Sequence, residues 1–203
     1  MKELVEYVLL KATRGAMSRL RLLTYRFLGM KMGTHNRMEG HGRVRRCSQI
    51  ELGSYNAFTQ GSWLWPNDMD YHGIRIRIGS QNYFNRNVMI DACGLIEIGD
   101  QNMFGPDVYI TDSNHRFESA RTPQQQGMDV GRVKIGSGCW IGARSTILKD
   151  VELADGCVVG AGSVVTRSVP AGTVVAGVPA RPIGDRTVQP VGIKVPFAQS
   201  ASE

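Results

Sequence analysis

The stretch VKIGSGCWIGARSTILKDVELADGCVVGAGSVV, residues 133–165, places an aliphatic residue at every sixth position: Ile135, Ile141, Ile147, Leu153, Val159 and Val165. Ala171 and Gly177 continue the count. Val, Ile and Leu make up 44 of the 203 residues. Six consecutive hits at a preset period then arise by chance roughly once in ten thousand tries. A helix repeats at three and four, and a flat strand at two. A period of six fits a short strand followed by a bend, stacked coil upon coil as a β-solenoid.

Each ladder residue is expected to point inward. The next position is often Gly (Gly136, Gly142, Gly160), which suits a bend with unusual backbone angles. Four positions after each ladder residue stands a small or branched side chain: Cys139, Ser145, Val151, Cys157, Ser163, Val169 and Val175. These read as a second inward site. Upstream the ladder recurs as Ile78, Phe84, Ile90, as Ile98, Phe104, Ile110, and more weakly as Leu52, Phe58, Leu64. It lapses across 113–132, a polar run with one Pro and two Gly, which reads as a loop extruded from the coil.

The formal charge of +6 is uneven. Residues 1–46 hold 11 Lys/Arg against 3 Asp/Glu, so the remainder is slightly acidic. The aromatics are not interleaved with these cations, which argues against a nucleic-acid surface. Within 4–28, Val5, Leu9, Ala12, Ala16, Leu20, Leu23 and Phe27 recur at helical spacing among Lys11, Arg14, Arg19, Arg21 and Arg26. This basic amphipathic helix either caps the open end of the solenoid or lies on an anionic membrane surface. No run within it is long enough to span a bilayer. The four cysteines, Cys47, Cys93, Cys139 and Cys157, form no CxxC pair. They are expected as free thiols of a cytoplasmic protein, with no metal. The expected organisation is a helical segment over 1–46, a β-helix over 47–184 and a tail over 185–203.

The strings NYFNRNVMIDA (82–92), IEIGDQNMFGPDVYITDSNH (96–115) and VVGAGSVVTRSVPAGTVVAGVPARPI (158–183), with the repeat itself, resemble the hexapeptide-repeat acyltransferases. The similarity covers about 74–184 and points to the sugar O-acetyltransferase branch. It implies a left-handed parallel β-helix, a homotrimer with active sites between subunits, and acetyl-CoA as co-substrate. The handedness comes from the resemblance alone, since parallel crossovers are normally right-handed.

His115, in TDSNH, matches the family's catalytic base. Imidazole is the side chain suited to proton transfer near neutral pH. Asn85 matches an acceptor-contacting position, and its amide can both donate to and accept from a hydroxyl; an Asn at a coil corner is the plainer reading. Asp91 and Asp112 lie nearby in sequence and stay unassigned. Small Ala143 and Ala161 would let a pantetheine arm approach the backbone. Thr166 and Arg167 match a TK/TR pair and Arg181 a GVPxR motif, where guanidinium suits phosphate. A further family Arg is replaced by Gly184. Trp63, Trp65 and Tyr71, in an apparent interruption between coils, either stack on a sugar ring or plug a gap beneath the helix.

Three other readings share the scaffold. A three-His zinc enzyme lacks its ligands, because His35, His41 and His72 precede the well-repeated region. A non-catalytic assembly coil would not need TDSNH or GVPAR. N-acetyltransfer to an amino sugar, or acetylation of a xenobiotic, uses the same chemistry on another acceptor.

Overall fold

A computed structural model describes residues 2–67 and 73–186, and their side chains except for residues 2–12 and 14. Helix α1 (Lys2–Phe27) leads into a three-faced prism of parallel strands. The first face stacks 31–32, 50–52, 76–78, 95–98, 132–135 and 152–153; the second, 37–38, 57–58, 83–84, 103–104, 140–141, 158–159 and 173–177; the third, 43–44, 63–66, 89–92, 109–111, 146–147 and 164–165. Each face carries one column of ladder residues. Leu52, Ile78, Ile98, Ile135 and Leu153 are successive partners on the first face. Phe58, Phe84, Phe104, Ile141 and Val159 stack on the second, and Leu64, Ile90, Ile110, Ile147 and Val165 on the third. All are buried. The sixfold period is thus one strand per face, three to a coil, in a left-handed parallel β-helix.

The corners turn on a residue in the left-handed region three positions after the ladder residue. Asn87 (φ 58°), Asp107 (φ 60°), Arg144 (φ 58°) and Gly162 (φ 69°) form one such column. Gly142 and its equivalents are therefore not the bend. They are glycine because of what lies above them: a Cβ on Gly142 would sit 2.5 Å from the Ala161 nitrogen of the next coil. Between the first and second faces the second inward site holds an asparagine column. Asn82 Nδ2 donates to the Gly99 carbonyl (2.9 Å), and its Oδ1 accepts from the Asn102 amide (2.9 Å).

Several expectations need correction. The register slips after Val165: Val169 pairs with Leu153 and Val175 with Val159, so these are the ladder residues, and Ala171 and Gly177 are not. The coils begin at Lys31 rather than near residue 47, with Met32, Met38 and Val44 in the ladder positions of the first coil. Trp63 and Trp65 lie in a regular strand of the third face and not in an interruption. Tyr71 lies outside the described residues, as does most of the expected tail. The extruded segment is an arm in which Ser113–His115 pairs antiparallel with Met128–Val130. All four cysteines are free and buried.

Candidate active site

The second and third faces meet along a groove of about 680 Å³. Its floor includes Ala143 and Ala161, and its walls carry Arg86, Asn87, Asp107 and Arg144. The corner geometry makes the groove. Positions two and three past the ladder residue point outward at each turn, so Arg86, Pro106, Ala143 and Ala161 stack, and beside them Asn87, Asp107, Arg144 and Gly162. Asn87 Nδ2 donates to Asp107 Oδ1 (2.9 Å), and Arg144 Nε lies 3.9 Å from Asp107 Oδ2. In the first of these columns the side chains shrink towards the C-terminal coils, from Arg86 to Ala143 and Ala161. Asn85 sits on the same edge, its Oδ1 accepting from the Arg86 amide (2.8 Å).

His115 lies at the other edge of the third face, exposed on the arm. Within one chain the third face separates it from Asn85 and the groove. Thr166 and Arg167 share the His115 edge in a later coil and are exposed. Arg181 lies on the closing antiparallel strand of the second face (Ala180–Asp185), with Nη1 on its own neighbour's carbonyl. The structure therefore brings together Asn85, Ala143 and Ala161, with Arg181 on the same edge beyond Ala161 through its register partner Ala176, and leaves His115, Thr166 and Arg167 on another edge.

Between the two edges the third face presents a mixed aromatic and acidic surface. Trp63 and Trp65 are 5.5 Å apart by centroid, and Arg43 and Arg45 lie over their rings at 4.9 and 5.2 Å. They sit outside the prism with Leu64 inside, so they plug no gap beneath the helix. Asp91, the register partner of Trp65, accepts from the Tyr109 hydroxyl (3.2 Å) and from Asn67 Nδ2 (3.5 Å). Burial pushes the Asp91 carboxyl above its ordinary range, against the pull of those two donors. Sequence reading left Asp91 unassigned and missed Tyr109 and the charged groove wall. Counting three positions beyond each ladder residue would have found Asn87, Asp107 and Arg144.

Asp112 is committed to backbone amides. Its two oxygens accept from the Cys93 and Gly94 amides, at 2.8 Å each, and it is fully buried at the root of the arm. Burial raises its carboxyl to about 6, against those amides and Arg75. A carboxyl raised above its unfolded value of about 3.9 holds its proton more tightly when folded. Its stabilising contribution is fullest below about pH 4 and is lost as pH rises through about 6. Asp112→Asn abolishes this titration and turns an NH₂ towards one of the two amides. We expect the variant to be less stable by about 1–3 kcal/mol, with the deficit larger near pH 5 than near pH 8. Urea melts at both pH values check it, and a deficit flat across pH contradicts it.

Residues 132–167 match the family described as "Bacterial transferase hexapeptide (six repeats)". The chain is 43% identical over 117 residues to nodulation protein L of Rhizobium meliloti (strain 1021), covering 57% of this chain and 62% of that protein. It is 32% identical over 126 residues to galactoside O-acetyltransferase of Escherichia coli (strain K12), covering 61% of each. The chain thus spans about three fifths of the length of these relatives. Among solved structures it is similar to a maltose O-acetyltransferase from Clostridium difficile 630 (26% identity, TM-score 0.55, 79% of this chain and 72% of that one). It shares its fold with the N-acyltransferase AntD from Bacillus cereus (19% identity, TM-score 0.69, 81% and 88%). Sixfold ladder, three-faced prism and these likenesses agree: the chain has the left-handed β-helix fold of these acyltransferases, and its residues 132–167 match the hexapeptide-repeat family.

Proposed function

We propose that the chain transfers an acetyl group from acetyl-CoA to a hydroxyl of a sugar, with His115 as general base. The observation that carries this reading is the open groove floored by Ala143 and Ala161 and walled by Arg86 and Arg144. It offers an extended thioester arm a bare backbone and two guanidinium groups. Thr166, Arg167 and Arg181 are assigned to the nucleotide end, where guanidinium meets phosphate. The sugar acceptor follows from the likeness to proteins named galactoside and maltose O-acetyltransferase. The half-buried strip of Trp63, Trp65, Tyr109 and Asp91 on the outside of the third face suits an extended glycan, such as a polysaccharide or its lipid-linked precursor, because aromatic faces accept sugar rings and carboxylates accept from hydroxyls.

The separation of His115 from the groove is resolved by a homotrimer in which the arm of one copy reaches the groove edge of the next. The reaction there is direct transfer. His115 takes the proton of the acceptor hydroxyl as its oxygen bonds to the thioester carbonyl carbon. The tetrahedral intermediate collapses with cleavage of the C–S bond, and the imidazolium returns the proton to the departing sulfur. No protein nucleophile takes part; the cysteines are buried, and burial raises the Cys139 thiol to about 11.

Thiol release from acetyl-CoA in the presence of a panel of oligosaccharides tests the reading, with the acetylated product identified by mass. Ala161→Trp fills the groove floor from an exposed position and should raise KM for acetyl-CoA about tenfold or more while leaving the fold intact. No acceptor-dependent release from wild-type protein, or an unchanged KM in the variant, overturns it.

A further inference from the structure

Over residues 16–27, the apolar stripe of α1 faces away from the prism. The helix rests on the first coil through Ser18, Leu22 and Tyr25: Ser18 Oγ accepts from the Met38 amide (2.9 Å), and Leu22 and Tyr25 pack on the core. Arg21 donates to the Met38 carbonyl (2.7 Å) on the same side. The opposite side carries Leu20, Leu23 and Phe27, with Phe27 90% exposed, and Met17 and Leu28 are also exposed beside it. A cap on a solenoid turns its apolar side inward and its polar side out. Here Leu22 and Tyr25 face inward, but the outward side is apolar as well.

Cations border the stripe. A mainly apolar cleft between α1 and the first coil is lined by Leu22, Leu23 and Met32, and it is rimmed by Arg19, Arg26 and Arg37. Lys31 lies just beyond, 3.1 Å from Glu51 and largely exposed. Exposed apolar side chains flanked by guanidinium groups match a surface that is apolar inside and anionic at its rim. A second copy docked on this face would bring two sets of these arginines together. An anionic bilayer satisfies both the stripe and the charges.

We propose that α1 docks the protein on an anionic lipid bilayer, with Leu20, Leu23 and Phe27 entering the interface and Arg19 and Arg37 meeting lipid phosphates. No helix among the described residues is long and apolar enough to cross a membrane, so the contact is peripheral. It stands independently of any acyl transfer.

The test is flotation of the full-length chain with vesicles of phosphatidylcholine containing one third phosphatidylglycerol, against vesicles of phosphatidylcholine alone. The expected result is at least about tenfold stronger partition to the anionic vesicles, lost in about 1 M salt, where the screening length is ~3 Å. Leu20→Gln/Leu23→Gln/Phe27→Gln should lower that partition about a hundredfold without changing the oligomeric mass by light scattering. Arg19→Gln/Arg37→Gln should remove the preference for phosphatidylglycerol while the fold remains. Failure of wild-type protein to float with anionic vesicles overturns the proposal, as does undiminished flotation of either variant. A triple variant that changes oligomeric mass also overturns it, because the stripe is then a protein interface.

Discussion

Replacing His115 with Ala is expected to lower kcat by about 10²–10⁴-fold, the usual worth of a positioned general base. This corresponds to roughly 2.7–5.5 kcal/mol of transition-state stabilisation. The side chain is exposed on the arm, so its loss removes no core packing and should leave the melting temperature unchanged. KM for acetyl-CoA should move little, because the proposed role of His115 is to take the acceptor's proton and not to hold the thioester arm. A fall in kcat at constant KM marks an interaction made in the transition state and not in the ground state. His115→Gln keeps the hydrogen-bonding reach but not the basicity, and should be as slow as the alanine variant. A variant within twofold of wild type would remove His115 from the mechanism.

The coils were legible because a period of six translates into one buried residue per face. Ile135 to Val165 are two whole turns of the prism, and every one is buried. The first coil was not legible because its ladder is Met32, Met38 and Val44, followed by a 3₁₀ turn at Cys47–Gln49 that shifts the count. Val169 and Val175 were misread because the last coil is two residues short. The role of Gly142 was misread for a different reason: a repeat shows where glycine is required, and only the stacked coil shows whether conformation or space requires it.

The site was half legible. Ala143 and Ala161 line the groove, but its charged wall comes from corner positions that sequence periodicity does not single out. The apolar period of α1 is legible and its direction is not, which leaves cap and membrane contact both open in the sequence, because a period of 3.6 says that one side is apolar and nothing about where the body lies.

Replacing Phe84 with Ala should have the largest effect on stability. Its ring is fully buried at the middle of a stack, 4.4 Å from Phe58 and 4.6 Å from Phe104 by centroid, with interplanar angles of 2° and 7°. Truncation removes both contacts and leaves a cavity between coils whose backbones are fixed by ladder hydrogen bonds on each side. The walls therefore cannot close on it, and the expected cost lies in the upper part of the range for such changes, about 3–5 kcal/mol. In a stacked repeat each coil is held by its neighbours, so a weak central interface uncouples the coils before it from those after it. Urea denaturation should show a lower midpoint and, if the halves separate, a shallower slope. Phe84→Leu fills most of the space and should recover more than half of the loss. Equal stability of the alanine variant and wild type would mean that the aromatic column does not hold the second face together.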